Sequence, residues 1–247
     1  MDMKKASFAF SGKKALVVGG TGGIGKEVAL LLAESGAELT IHGGSSTERL
    51  STTIATIRDA GGKADGFLLP IENPSSAEKI IALSPPPDIL VCAWGPFKRA
   101  RLETHDIETW QSMTENNLIF PGLLVSQVIK GMMDRNWGRI LLFGGTNTDT
   151  IRGFTTTIAY SAAKTALGVI AKSAAKTGGS RSITCNVVCP GLTDTEYSSE
   201  ELRQYNREKS PGGQALSAKE VALAAFAVIS NPRINGAIIS VDNGLSL

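Results

Sequence analysis

Val18-Gly19-Gly20-Thr21-Gly22-Gly23-Ile24-Gly25 is the stretch whose reading decides the fold. It follows the apolar run Ala15 to Val18 and leads into a helical pattern that opens at Lys26. Two registers overlap in it: Gly20, Gly22 and Gly25 satisfy G-x-G-x-x-G, and Gly19, Gly23 and Gly25 satisfy G-x-x-x-G-x-G. Glycines here let the backbone turn sharply and approach a diphosphate, whose charge is stabilised by the free N–H groups of a helix N-terminus. On its own such a pattern marks only a tight turn. Placed after a first strand and before a helix, it points to a dinucleotide site at the head of a βαβ unit.

Outward from this loop, short apolar runs alternate with longer stretches of helical period. Ala15 to Val18 is followed by Gly25 to Ser35, Glu38 to Ile41 by Glu48 to Ala60, and Gly66 to Leu69 by Ser75 to Leu83. The rhythm continues through Ile89 to Cys92, a helix around Glu108 to Arg135, Arg139 to Phe143, a helix from about Ala159 to Lys176, Ile183 to Val188 and a closing run Gly236 to Val241. Parallel strands need crossovers of a dozen or more residues, and the helical stretches supply them. The pattern predicts an α/β fold: a single-domain Rossmann-type doubly wound sheet of about seven parallel strands with helices on both faces. Pro85-Pro86-Pro87 reads as a helix stop before the strand at Ile89. No linker-like break or internal repeat divides residues 1–247, so one domain is expected. Gly191 to Ala215 is polar, rich in charge and carries Pro211-Gly212-Gly213. Residues 192–215 are therefore expected to form a mobile flap over the C-terminal edge of the sheet, where ligands bind in such folds.

At 247 residues, with 42% hydrophobic and 19% charged residues, the chain has the make-up of a globular protein able to bury a sizeable core without metal or disulfide. No apolar run approaches the roughly 18 residues of a membrane-spanning helix. Met1 to Lys14 has lysines but no apolar h-region, so no secretory signal is read there and a cytoplasmic address is expected. The 25 basic and 23 acidic residues nearly balance, which leaves no electrostatic track for nucleic acid. Cys92, Cys185 and Cys189 are an odd number in a large chain and are read as buried, reduced packing residues. With His42 and His105 the only histidines, no metal site is expected.

A carboxylate at the end of the second strand would bind a ribose 2′-hydroxyl and repel a 2′-phosphate. That strand ends instead in Ile41-His42-Gly43-Gly44-Ser45-Ser46, so Gly43, Ser45 and Ser46 are read as accommodating a 2′-phosphate, with Arg49 the nearest cation. NADP(H) is expected in preference to NAD(H). Further on, Tyr160-Ser161-Ala162-Ala163-Lys164 places a phenol and an ammonium four residues apart on a predicted helix, hence on one face. A free tyrosine has a pKa near 10 and is a poor acid or base at neutral pH unless a neighbouring cation stabilises its phenolate, which Lys164 is placed to do.

Taken with the glycine loop, this pair resembles the short-chain dehydrogenase/reductase family over essentially the whole chain from Gly12 onward. The matching residues are Gly19, Gly23 and Gly25; Tyr160 with Lys164; Asn186 with Pro190-Gly191; and Val241-Asp242-Asn243-Gly244. Within that family, Ile183-Thr184-Cys185-Asn186-Val187-Val188 and the closing strand are most similar to the 3-oxoacyl-acyl-carrier-protein reductases. The resemblance implies NADPH-dependent reduction of a ketone to an alcohol, with Tyr160 as proton donor, Lys164 lowering its pKa and holding the nicotinamide ribose, and Asn117 serving a water relay. It implies cofactor contacts from Gly19, Thr21, Gly23, Ile24, Gly25, Gly43, Ser45, Ser46, Ile71, Ala93, Gly95, Lys164, Pro190, Gly191 and Thr193. It also implies a homotetramer built on the helices around Glu108 to Arg135 and Ala159 to Lys176. The substrate would be a small-molecule carbonyl, carried for instance on acyl carrier protein or CoA, with Arg181 at the place of a carrier-docking cation.

The chain departs from that pattern at several points. The carbonyl-polarising serine is missing from Gly144-Gly145-Thr146-Asn147-Thr148: counting forward from the strand puts Gly145 at its place, counting back from Tyr160 puts Asn147 there. Thr146 lies between and is nominated as the replacement donor, with Asn147 and Thr148 in reserve. Asn-Asn-Ala-Gly is replaced by Cys92-Ala93-Trp94-Gly95, and an adenine-contacting aspartate by Pro70-Ile71. The span from Ile71 to Asp88 is short, implying a stunted third helix. Pocket walls are expected at Gly95 to Arg101, Thr146 to Ile158 and Leu192 to Leu216, the first carrying Lys98, Arg99 and Arg101. These losses leave a second reading open, a non-catalytic member that binds nucleotide or a partner.

Overall fold

Strand β1 (Lys14–Val18) lies near the middle of the sheet, buried on both sides beyond Lys14, as an apolar run without alternation requires. The computed structural model describes residues 9–246; the part of the signal-peptide reading that concerns residues 1–8 lies outside the described residues. After β1 come α1 (Gly23–Glu34), β2 (Glu38–Gly43), α2 (Thr47–Asp59), β3 (Lys63–Leu68), α3 (Ser76–Leu83) and β4 (Ile89–Cys92). The second half runs α4 (Ile107–Thr114), a π-helical turn (Glu115–Ile119), α5 (Phe120–Asp134), β5 (Gly138–Phe143), α6 (Ile158–Gly178) and β6 (Ile183–Pro190). The short β7 (Thr193–Asp194), α7 (Glu200–Lys209), the short β8 (Leu216–Ser217), α8 (Ala218–Ser230) and β9 (Ile238–Val241) close the chain.

The sheet has seven strands in the order β3-β2-β1-β4-β5-β6-β9, every neighbouring pair parallel. This is the single-domain, doubly wound arrangement that the alternation predicts. The order reverses between β1 and β4, where Val18 is in register with both His42 of β2 and Cys92 of β4. A crevice opens at such a reversal, outside the carboxyl ends of the strands.

Two apolar layers hold the sheet. Ala15 and Val17 point to the side covered by Val28 and Leu32 of α1, Ile57 of α2 and Val221, Ala225 and Ile229 of α8. Leu16 and Val18 point to the other side, onto Ile80 of α3, Phe120, Leu124 and Met132 of α5 and Leu167 and Ala171 of α6. Each fully buried Leu, Ile or Phe contributes about 1.5–3 kcal/mol relative to exposure, so both layers are needed to keep this sheet dry. The three cysteines are free and buried within the second layer or its strands, as their spacing suggested.

Several expectations are corrected. Helix α1 begins at Gly23, not Lys26, so two of the glycines lie in its first turn. The helix expected around Glu108 to Arg135 is broken into α4 and α5 by the π turn. The third helix is short, as the missing residues implied, with eight residues. Residues 192–215, read as a flap, contain the helix α7, capped by Ser199, whose side chain accepts from the Leu202 amide. Helix α8 was not expected at all. Its signal was present in Ser217-x-x-Glu220 ahead of an apolar run: the two residues form a reciprocal capping box, and Val221, Ala222, Ala225, Val228 and Ile229 form one buried stripe.

Candidate active site

The glycine loop closes the crevice from the β1 side. Gly19 and Gly20 donate their amides to the His42 carbonyl at 3.2 and 3.0 Å, tying the loop to the end of β2. Gly19 has φ +78°, and a side chain there would meet the Ala93 carbonyl at 3.1 Å, so only glycine lets β1 and β4 end this close together. A Cβ on Gly25 would collide with the Gly19 carbonyl, which is how α1 comes to start directly beneath the loop. Helix α1 carries no acidic residue in its first turn and no side-chain cap. Its amide ends therefore face the crevice as a partial positive charge for an anion.

On the β4 side, Asn117 and Lys164 converge behind Gly95. A Cβ there would collide with Asn117 Oδ1 and lie 3.0 Å from Lys164 Nζ. Asn117 sits in the π turn, its Nδ2 donating to the Pro96 carbonyl at 3.0 Å. Its Oδ1 is buried and has no partner among the described residues, an acceptor left facing the site. Lys164, on α6, donates to the Phe143 carbonyl at the end of β5 at 2.8 Å, and burial pushes its pKa down to about 8, against the pull of the nearby Cys92 and Cys189 thiols. Tyr160 stands one helical turn earlier, with the Lys164 ammonium 5.8 Å from its ring centroid. Burial holds the Tyr160 hydroxyl well above the usual phenol range, so it is a proton carrier here rather than a phenolate. Phe97 packs edge-on against its ring at 4.9 Å.

The loop after β5 assigns its residues different tasks. Gly145 lies against Tyr160: a Cβ there would be 2.8 Å from Cε1 and from the hydroxyl oxygen. Thr148 is spent on the loop itself, its hydroxyl accepting from the Gly145 amide at 2.8 Å and donating to the Gly145 carbonyl at 2.9 Å. Asn147 adopts φ +61° and has its Oδ1 buried without a partner among the described residues. The Thr146 hydroxyl is engaged with no described residue.

Around the nucleotide end, the placements are mixed. Ser46 caps α2, its hydroxyl accepting from the Arg49 amide at 3.3 Å, and Ser45 is exposed. A cavity of about 250 Å³ at the start of α2 is lined by Lys26, Arg49, Glu48 and Glu196 among others, two cations and two carboxylates. Ile71 packs into the second apolar layer, as does Trp94, which meets Phe120 edge-on at 5.4 Å. His42 is fully buried, its Nε2 donating to the Leu69 carbonyl at 2.9 Å, and desolvation pushes its pKa down. Gly191 is buried against Asp242, and the Thr193 hydroxyl turns back to the Gly191 carbonyl at 3.0 Å. The residues that reach the glycine loop from this segment are instead Thr195, Glu196 and Tyr197. The sequence reading missed them: Glu196 Oε1 accepts from the Gly23 amide at 2.9 Å.

Of the three cations near the substrate side, Lys98 donates to Thr109 Oγ1 at 2.7 Å and Arg101 pairs with Glu103 at 2.6 Å. Arg99 alone faces the crevice, its guanidinium 5.8 Å from the Phe97 ring and 5.1 Å from that of Tyr205 on α7. Arg181 donates to Asn136 Oδ1 at 3.1 Å in the turn before β6. It thus lies at the opposite end of an eight-residue strand from Pro190, roughly 25 Å away.

The profile of the short chain dehydrogenase family matches residues 13–206. The chain is 33% identical over 245 residues to a 3-oxoacyl-[acyl-carrier-protein] reductase of Escherichia coli, covering 96% of this chain and 98% of that one. It is 31% identical over 246 residues to the reductase of the same name from Aquifex aeolicus, covering 95% and 97%. Among solved structures, a short-chain dehydrogenase/reductase from Serratia marcescens superposes with a TM-score of 0.86 at 27% identity, over 97% of this chain and all of that one.

Proposed function

The chain belongs to the short-chain dehydrogenase family of oxidoreductases, and from that premise we propose that it reduces a ketone to a secondary alcohol with NADPH, Tyr160 giving the proton. The observation that carries this reading is the convergence of Lys164 and Asn117 behind Gly95, with Tyr160 one helical turn from Lys164, at the strand-order reversal and beside an uncapped helix N-terminus. The glycine loop fits an anion of the dinucleotide: the first turn of α1 has no acid and no side-chain cap of its own, and the Gly23 amide already holds a carboxylate.

A nicotinamide dinucleotide bound there supplies the hydride that reaches the carbonyl carbon. The protein's part is to place that carbonyl against Tyr160, whose buried hydroxyl keeps its proton until charge develops on the substrate oxygen. Transfer of this proton to the oxygen completes the alcohol. With a pKa of about 8, Lys164 is mostly cationic at neutral pH and holds the ribose while stabilising the phenolate that Tyr160 becomes. Asn117, with its free Oδ1, anchors the water through which Tyr160 is reprotonated. Thr146 donates to the carbonyl in place of a serine, a contribution on the order of 3 kcal/mol to the barrier when such a donor is removed.

Gly43, Ser45 and Ser46 are proposed to receive the 2′-phosphate, NADP(H) over NAD(H), because the end of β2 carries no carboxylate; Lys26 and Arg49 of the neighbouring cavity supply cations, alongside Glu48 and Glu196. The first substrate class to try is a 3-oxoacyl thioester on acyl carrier protein or CoA, by analogy with the reductases it is similar to. A cytoplasmic homotetramer is the proposed form. Ile151 and Val169, 95% and 68% exposed, flank a cavity of about 880 Å³ on the outer face of α6 that a neighbouring subunit would cover. Residues 192–215 act as the flap over a single domain.

Calorimetric titration with NADPH and NADH tests the cofactor, and turnover of 3-oxoacyl thioesters tests the reaction. Tyr160→Phe should bind NADPH as tightly as the parent and lose nearly all turnover. Parent chain that binds neither dinucleotide, or a Tyr160→Phe chain that turns over normally, overturns the reading in favour of a non-catalytic member.

A further inference from the structure

Glu196 and Tyr197 lie where the diphosphate of a dinucleotide would sit. Glu196 Oε1 accepts from the Gly23 amide at 2.9 Å, in the first turn of a helix whose own sequence offers it no acid and no cap. A charge-assisted bond to such an amide is the same interaction that a phosphate oxygen makes there. Tyr197 covers the neighbouring residue: a side chain on Gly22 would run into its hydroxyl. The Arg49 guanidinium stacks on its ring, 4.7 Å from the centroid. The tyrosine is nonetheless 52% exposed, so it is seated on the loop without being locked into a core.

These two residues form one unit with α7. Arg203 of that helix donates to the Thr195 carbonyl at 2.8 Å and the Ser198 carbonyl at 3.2 Å, and Asn206 donates to Asp194 at 2.8 Å. Tyr205 on the same helix stacks on Arg99 at the substrate side of the crevice. Movement of the turn off the glycine loop therefore moves a wall of the substrate pocket with it.

We propose that Glu196 and Tyr197 are a built-in occupant of the diphosphate cradle, setting the chain's affinity for its dinucleotide and releasing α7 when they are displaced. This rests on the dinucleotide reading above. A diphosphate and Glu196 cannot share the Gly23 amide, so binding proceeds from the fraction of molecules in which the turn has lifted, and the apparent Kd exceeds the intrinsic one by the inverse of that fraction. Cofactor then precedes substrate, because the pocket wall is placed only after the turn has left.

Glu196→Ala and Tyr197→Ala are compared with the parent and with Glu200→Ala, which removes the same charge from the start of α7, where Glu200 pairs with Arg207. Two quantities are read: NADPH affinity by calorimetry, and amide exchange of Gly23 and residues 195–209 in the free protein. Both cradle variants should bind NADPH roughly three- to tenfold more tightly, about 0.6 to 1.4 kcal/mol, with faster exchange, while Glu200→Ala changes neither beyond about twofold. Tyr197→Ala removes no charge, so its tightening separates displacement of an occupant from relief of like-charge repulsion. Variants that bind no more tightly than Glu200→Ala overturn the proposal while leaving the dinucleotide reading standing. Should no chain bind NADPH, that reading fails, and the exchange data decide alone: unchanged Gly23 exchange in Glu196→Ala refutes the contact, faster exchange upholds it.

Discussion

Gly145 is the place to perturb first, because a single methyl group there tests how Tyr160 is held. An alanine Cβ would stand 2.8 Å from Tyr160 Cε1 and from its hydroxyl oxygen, against the 3.5–4.0 Å at which carbon atoms rest in contact. The ring must therefore retreat by about 0.7–1 Å. The ring also meets Phe97, edge-on at 4.9 Å and itself 55% exposed, so the ring and Phe97 shift together more easily than the backbone yields. The cost in stability falls at the low end of overpacking, about 1 kcal/mol, or roughly 2–4 °C in Tm for a chain of this size. The cost in rate is larger, since a reacting group misplaced by about 1 Å loses on the order of 100-fold. Gly145→Ala should thus show near-parental NADPH binding, a small drop in Tm and a kcat/KM down about 100-fold, and Gly145→Ser should be impaired likewise although it adds a serine hydroxyl to this loop. Adding Phe97→Ala gives the ring room, so the double variant should recover part of the lost stability, with a coupling of about 0.5 kcal/mol or more. Parental kcat/KM and Tm in Gly145→Ala would refute the account of Tyr160 as packed against Gly145 and Phe97.

Thr146→Val should lower kcat by about 100- to 1,000-fold with little change in Tm. Thr148→Val should do the reverse, costing about 1–3 kcal/mol in urea unfolding because it leaves the Gly145 amide unpaired; a shared phenotype would show that the loop residues have been given the wrong tasks. Lys164, with its pKa near 8 when folded against 10.5 as the ordinary value, sheds its proton first in the folded chain. Its contribution to stability therefore rises as pH goes from about 8 to 10.5, on the order of 3 kcal/mol, and is flat below; the wild-type minus Lys164→Met difference in urea midpoints across that window should show the rise, and a flat difference counts against a desolvated lysine. Burial raises all three thiols, Cys185 to about 12 and Cys189 to about 11, so none should react with a disulfide reagent at pH 8 until the chain is unfolded.

What was legible in the sequence follows from the range of the forces involved. The sheet could be read because each parallel strand is buried on both faces and each crossover is helical, and both constraints leave marks a few residues long. The convergence of Tyr160 with Lys164 was legible for the same reason, one turn of one helix. Helix α8 was written just as locally, in Ser217, Glu220 and the stripe from Val221 to Ile229, and was overlooked rather than hidden. The start of α1 was misplaced because glycine is a poor helix former, while Gly25 is packed directly against the Gly19 carbonyl.

The rest of the site depends on which distant segments meet, and no local pattern carries that. Gly145 and Asn147 could not be told apart by counting, since an insertion shifts one count and not the other; that a side chain on Gly145 would come within 2.8 Å of Tyr160 is a matter of position in space that no count contains. Glu196 looked like one charge in a polar segment, although it lies 173 residues from the amide it meets. The one local clue was on the other side of that contact. A helix that begins Gly22-Gly23-Ile24-Gly25, with neither a cap nor an acid in its first turn, leaves its amides to be satisfied from elsewhere. The same emptiness that suits the loop to a diphosphate makes it attractive to any carboxylate the chain can bring within reach. Competition between the flap and the dinucleotide is thus a consequence of building an anion site from backbone amides alone.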